Sequence, residues 1–403
     1  MFLYGFFTLL GLAGLFYSTD PYATKRVVGT ILANWLLFIL YLNYFQERRQ
    51  IHLMIAIWLA ANLAGTVYST YDWHLGSGVG GAQHRYFLPR QQLTDSDQDT
   101  QTTRNRWTTV YGDISEWDAL GGSAVRRSMG PTSHPAVYGI NLVLTIPFFF
   151  YLLRRHRKVW QRASLVLALG LIMYNILLTN TRGTFLVAAV TGGLCVWFGL
   201  FKIRTPHVLA ALMALVLLIP AVPEDIINRT LTPRNYTMSS AATLRIRLRY
   251  WEAGLRILQD HFLFGVGVGN EKAVPAYMEN PDVSAQSVHN IYLQVALETG
   301  IFGWLSFFGF VGLIFFYVRA AARNLRHRAG WEDEYYLLVA IQTAMLAVLV
   351  DGLQLDVFNF SLKGWWLMAT IAPVLYGWSR VAPRPIAPAA APEPGSFHPL
   401  PAR

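Results

Sequence analysis

Ten apolar runs constrain this chain more than any other feature. They lie at roughly 1–17, 27–45, 51–69, 135–153, 163–180, 184–201, 207–222, 291–318, 335–351 and 363–379. A run of about 18 apolar residues crosses a bilayer as a helix, the one open segment that satisfies its own backbone polar groups there. The pattern predicts an all-α, polytopic membrane protein with about 10 transmembrane helices. Composition agrees, with 54% of the 403 residues hydrophobic and 14% charged. The 13 Trp and 20 Tyr suit aromatic belts at the two interfaces. The single cysteine, Cys195, lies inside an apolar run, which excludes a disulfide and a Cys-based metal site. The first run has no basic leader and no small-residue cleavage site, so it is expected to remain as a span.

Lysine and arginine in the short connections set the orientation. Arg48 and Arg49, the cluster Arg154, Arg155, Arg157, Lys158 and Arg162, then Lys202 and Arg204, and Arg319 to Arg328 occupy every second connection. Arg380 and Arg384 follow in the tail. This alternation puts them in the cytoplasm with both termini inside. The formal net charge of +10 fits that bias, and also fits affinity for anionic lipid or an anionic substrate. No nucleic-acid partner is expected. Residues 1–380 read as one transmembrane domain and 381–403 as a disordered Pro/Ala-rich tail.

The opposite side carries two long loops, about 70–133 and about 223–288. The first is polar and Gly-rich, with six Arg against seven acids. The second has seven basic and seven acidic residues, yet six Arg and one acid, Glu252, between Arg229 and Arg256. Within it, Thr243 to Gln259 reads as a helix. Leu244, Leu248, Trp251, Leu255 and Leu258 form one apolar stripe at helical spacing, and Arg245, Arg249, Glu252 and Arg256 form the opposite one. Such a helix should lie in the interface as a lid over the bundle. Arg247 is the exception: it falls at the edge of the apolar stripe, where a guanidinium needs an anion or acceptors.

Candidate chemistry sits on this outer side. Arg182, in Thr179-Asn-Thr-Arg-Gly183-Thr184, fits a snorkelling helix-end arginine, and fits equally a bidentate phosphate clamp beside a permissive glycine. Gly265-Val-Gly-Val-Gly269-Asn270 resembles a phosphate loop only superficially and reads as a structural turn, since no strand precedes it and no Lys-Ser/Thr follows. Asp95-Ser-Asp97 reads as solvated loop. His74 and His84 lack paired-histidine spacing, and no metal site is predicted. Glu298, nine residues into its span, reads as a buried structural hydrogen-bonding group. His289, with Asn290, stands where a polar segment becomes a long apolar run, an expensive place for a titratable group. Alone it fits a harmless interfacial residue. With Arg182, Arg247 and Arg127 on the same face, it fits a reaction in which a diphosphate leaves and an imidazole takes a proton from the attacking hydroxyl.

These residues carry a family likeness. His289-Asn290, nine residues, then Gly300-Ile-Phe-Gly303 resembles the H-N/S/Q-x9-G-x-x-G signature of O-antigen ligases. Thr181-Arg182-Gly183 resembles the family's Ser/Thr-Arg-Gly, and Arg247 four residues before Trp251 resembles its Arg-x-x-x-Trp. Asp260-His-Phe-Leu-Phe-Gly265-Val-Gly-Val-Gly269-Asn270 resembles D-H-P-L-x-G-x-G-x-G-N, with Phe262 where proline is usual. Arg127 to Pro135 matches more loosely. The likeness covers 180–303 and is specific to the O-antigen ligase and polymerase superfamily rather than to ligase over polymerase.

The resemblance implies a metal-independent, inverting glycosyltransferase of the GT-C type in a bacterial inner membrane, its site facing the periplasm. The donor is a glycan on undecaprenyl diphosphate. A ligase moves it to a sugar hydroxyl of lipid A–core, a polymerase to another repeat unit, and an oligosaccharyltransferase to protein. A lipid-linked polysaccharide transporter is the alternative from another class, but no internal symmetry of broken helices is present. His289, Arg182 and Arg247 are the expected catalytic residues. Asn290, Arg127, Arg245, Arg249 and Tyr292 are the expected pyrophosphate- and acceptor-binding residues, and no cofactor is expected. Family members usually have about twelve spans, so the count here is a departure, as is the long first outer loop.

Overall fold

The computed structural model describes residues 2–18, 20–75, 86–87, 109–110, 125–126, 128–132, 134–202, 205, 233–269, 288–354 and 363–381. Eleven α-helices run through them. They are α1 Phe2–Ala13, extended by a 3-10 turn Gly14–Phe16, α2 Pro21–Tyr44, α3 Arg48–Leu75, α4 Pro135–Val143, α5 Ile146–Arg155 and α6 Val159–Leu178. There follow α7 Arg182–Trp197, α8 Pro233–Asp260, α9 Ile291–Leu325, α10 Glu332–Asp351 and α11 Lys363–Val381. Six stretches are long and apolar enough to cross a membrane: α2, α3, the α4–α5 pair, α6, α9 and α10. The α1 stretch and α7 are apolar but shorter. Nine of the ten apolar runs thus fall on helices, and 207–222 lies outside the described residues. So do His84, Asp95 to Asp97 and the 382–403 tail.

Among the described residues the chain is helical with one small exception. Between α3 and α4, strand Tyr86–Phe87 pairs antiparallel with Thr109–Val110 on one side and Val125–Arg126 on the other. Local chemistry sets several helix ends. Pro21 opens α2, and Asp20 caps it by accepting from the Ala23 amide at 3.0 Å. Pro147 has no N–H to give the preceding turn, and the fourth predicted span breaks there into α4 and α5.

Helix α9 is the axis of the bundle, packed by α1, α8, α10 and α11. Its packing with α1, α2 and α11 is aromatic: Tyr4, Phe7, Phe38, Phe307, Phe310 and Trp366 interlock with ring centroids 4.8 to 6.3 Å apart. Apolar side chains gain little hydrophobic free energy by leaving lipid for protein, so close ring packing carries such contacts.

One turn of α9 is unwound. Gly300 holds φ +65° and ψ −170°, a region closed to residues with a Cβ. The freed groups are taken by the segment after α8. Val266 N–H donates to Leu297 O and Gly267 N–H to Glu298 O, each at 2.9 Å, and Ile301 N–H donates to Phe262 O at 2.8 Å. The glycine-rich stretch 265–269 is therefore a structural strap, as the sequence predicts, with positive φ at each of its three glycines. Thr24 Oγ1 anchors the far end of the strap to Val268 O at 2.8 Å. Glu298 is fully buried and accepts from Gln294 Nε2 at 3.2 Å, in line with the structural reading.

The basic connections gather at one end of the bundle. Arg48 stacks on Trp331 and donates to Gly330 O, Arg154 donates to Gly199 O and Tyr336, and Arg328 donates to Ser379 O. Arg48 and His52 flank buried Glu334 in the first turn of α10, at 3.7 and 3.5 Å. The twenty residues of α10 span about 30 Å, so its other end, Asp351, lies that far from this charged cluster.

Candidate active site

Helix α9 starts where Asn290 caps it. The Asn290 Oδ1 accepts from the Tyr292 and Leu293 amides at 3.0 and 3.1 Å, satisfying two of the helix's four orphan donors. The residue before it, His289, holds φ +50°. That left-handed conformation is rare outside glycine and is entered most readily by Asn, Asp and His. The sharp turn leaves the imidazole half-buried at the mouth of the helix.

Two neighbouring elements fix this corner. Trp251 of α8 donates its indole N–H to Val288 O at 2.9 Å, and the Ile291 amide donates to Gly352 O, just past α10, at 2.8 Å. Tyr292 gives its hydroxyl to Leu349 O at 2.8 Å and stacks on Phe308. Its polar group therefore ties α9 to α10, and Asn290 Oδ1 serves as the helix cap. Both residues, expected from sequence to bind pyrophosphate or acceptor, thus also hold this corner together.

Arg182 opens α7, and the residue after it meets the end of α10. Gly183 lies against the Gln354 carboxamide, and a Cβ there would overlap it. Gln354 Nε2 donates to Asp351 Oδ1 at 3.1 Å. The short turn Asp351–Gln354 thus touches Gly183 on one flank and Ile291 on the other, joining the Arg182 and His289 segments. Asp351 is 3% exposed, and its Oδ2 makes no hydrogen bond among the described residues.

Arg247 reaches the same corner through α8. The buried face of this helix is Tyr250, Ala253 and Ile257, with Gly254 against Leu293. The leucines of the apolar stripe lie off this packed face: Leu248 and Leu255 are 50% and 52% exposed. Small Ala253 and Gly254 let the backbones approach, so they face α9, while the larger leucines turn outward. Arg247 lies three, four and seven residues before Tyr250, Trp251 and Gly254, hence on the packed side, and is half-buried. Arg249 is exposed. The side chain of Arg245, and Arg127 altogether, lie outside the described residues. Ser128, next to Arg127, donates its amide to Leu178 O at 2.8 Å, just ahead of the Arg182 turn. His74 stacks on Tyr174, with Nε2 2.6 Å from its hydroxyl.

Two guanidinium segments, an imidazole and a buried carboxylate thus belong to one connected set of contacts. Guanidiniums can neutralise an oxyanion, and an imidazole can accept a proton near neutral pH. Among the described residues, no group of three or more His, Cys, Asp or Glu is placed to hold a metal ion. Asp351, Gln354 and Asn180 were missed from sequence. The available signal was a polar Asp-Gly-Leu-Gln at the end of an apolar run. Changing Trp251 to Phe should remove the tie to Val288 and lower stability by about 1 kcal/mol, measured by thermal unfolding in detergent. Wild-type stability would show that the tie is idle.

Residues 165–308 match the family model described as O-antigen ligase. No curated protein matches. A chain from the structure titled "Structural coordination of polymerization and crosslinking by a peptidoglycan synthase complex" aligns with TM-score 0.41 at 16% identity, covering 94% of this chain and 96% of that one.

Proposed function

Taking residues 165–308 as an O-antigen ligase domain in a multi-pass membrane protein, we propose that the chain transfers a glycan from undecaprenyl diphosphate to a sugar hydroxyl of lipid A–core. One observation carries this reading. The Asp351–Gln354 turn and the Trp251–Val288 bond link the Arg182, Arg247 and His289 segments at the end of the bundle away from the basic connections. In this reading that end faces the periplasm of a bacterial inner membrane, both termini are cytoplasmic, and the 223–288 loop is the lid.

Arg182 and Arg247 hold the diphosphate. The acceptor hydroxyl attacks the anomeric carbon in line. Its new C–O bond forms as the bond from that carbon to the phosphate oxygen breaks, inverting the centre. His289 takes the hydroxyl proton, and undecaprenyl diphosphate leaves with the bonding pair. The guanidiniums compensate the growing charge, so no divalent metal is assigned. Arg182→Lys and Arg247→Ala should each lower transfer about 100-fold, because a point charge or a methyl cannot grip two oxygens as a planar guanidinium does.

The test combines purified protein, lipid-linked glycan, and either lipid A–core or a second repeat unit on its carrier. A single glycan joined to lipid A–core, formed equally in excess chelator, is the expected product. Lengthened chains on the carrier would make the protein a polymerase, transfer to a protein Ser/Thr would make it an oligosaccharyltransferase, and abolition by chelator would overturn the metal-free step.

A further inference from the structure

We infer that Asn180 is a binding residue for a phosphate oxygen of the diphosphate donor, acting beside Arg182. This rests on the function proposed above. Asn180 is 1% exposed, and its Nδ2 donates to nothing among the described residues. A buried amide donor left unmade is costly, and native proteins seldom keep one without a use. Its backbone is also unusual, with φ +46° in a turn closed by the Asn180 amide on Leu177 O at 2.9 Å. Asn is one of the few residues that tolerate this conformation, yet glycine would serve the turn better, so the side chain needs a separate reason to be present.

The surroundings say which ligand the donor suits. Asn180 immediately precedes Thr181, the N-cap of the 16-residue helix α7. Thr181 makes no capping bond, and its hydroxyl donates back to Thr179 O at 3.0 Å. The first-turn amides therefore have no side-chain acceptor from the cap, at the end of the helix where the dipole favours negative charge. Gly183 adds no side chain, and Gln354 walls one flank. Asn180 Nδ2, the first turn of α7 and the Arg182 guanidinium all offer N–H groups. Such a set fits an oxygen that only accepts and carries negative charge, which describes a phosphoryl oxygen rather than a sugar hydroxyl.

The experiment measures binding of undecaprenyl diphosphate to the full chain in nanodiscs, together with steady-state transfer. N180G keeps the left-handed turn and removes the donor. N180D keeps size and turn but presents a carboxylate to the phosphate. N180G should weaken binding about tenfold or more and N180D further still, both raising KM for the donor and leaving KM for the acceptor unchanged. If N180D does not fold, N180G decides by the same readout. Wild-type affinity in a folded N180G protein overturns the role of Asn180 alone. Failure of the wild-type protein to bind undecaprenyl diphosphate overturns the proposed function and this inference together. Repeating the measurement with and without phosphatidylglycerol separates the sources of phosphate. If Asn180 governs only competition by phosphatidylglycerol, the seat belongs to bulk lipid and the inference fails.

Discussion

Replacing His289 with Asn should lower glycan transfer by about 100- to 10,000-fold, the range for loss of a general base. Asparagine is the informative choice. His289 holds φ +50°, and Ala there would add backbone strain to the loss of the imidazole. Asn tolerates that conformation and cannot act as a base near neutral pH. The His289→Asn protein should therefore unfold at the wild-type temperature and still bind the lipid carrier, with the loss confined to kcat. Wild-type turnover in the purified variant would remove the base assignment and leave His289 as a turn residue. Equal loss of carrier binding and turnover would move it to the donor side of the site.

Replacing Gly300 with Ala should destabilise the protein by roughly 4 kcal/mol, from two separate causes. The backbone at Gly300, φ +65° and ψ −170°, lies where residues with a Cβ are strained. A Cβ there would also overlap the carbonyl of Leu263 and the amide of Phe264. Both lie immediately ahead of the strap, and backbone atoms have no alternative rotamer to adopt. The expected result is a large drop in unfolding temperature, with the segment after α8 released from α9 and open to protease. Since Trp251 and Arg247 ride on α8, transfer should fall even in surviving protein. Gly303, one turn on in helical backbone, lacks the strain at φ but not the crowding: an added Cβ would overlap Thr299 Oγ1 and Cβ, and the latter has no rotamer to adopt, so Gly303→Ala should destabilise as well. Equal stability of Gly300→Ala and wild type would show that the strap is not held as described.

These expectations differ in how far each was readable before the fold was known. The helices were legible because a bilayer demands about 18 apolar residues in each, and that demand is written in composition and length alone. Arg182, Arg247 and His289 stood out because charge at the edge of an apolar run is costly wherever the run lies. Which face of α8 packs on α9 was not legible. Periodicity picks out the largest apolar side chains, whereas close helix contact uses the smallest, and Ala253 with Gly254 face α9 while Leu248 and Leu255 do not. The structural bonds of Tyr292 and Asn290 were not legible, because sequence shows a polar group without showing what it already bonds.

What the sequence determined by itself is the class of protein, the ends of most spans and three of the charged groups offered as the site. Each follows from a local property: length of an apolar run, position of a charge, a glycine where the chain must turn. What only the tertiary structure decided is which of those groups share a corner. The Gln354 carboxamide over Gly183, the Gly352 carbonyl under Ile291 and the Trp251 bond to Val288 join segments far apart in the chain. No spacing rule encodes such contacts, because they depend on how several helices stack. Asp351 and Asn180 are consequential for the same reason. Their polar atoms became unusual only once packing had buried them and left part of their hydrogen-bonding capacity unused.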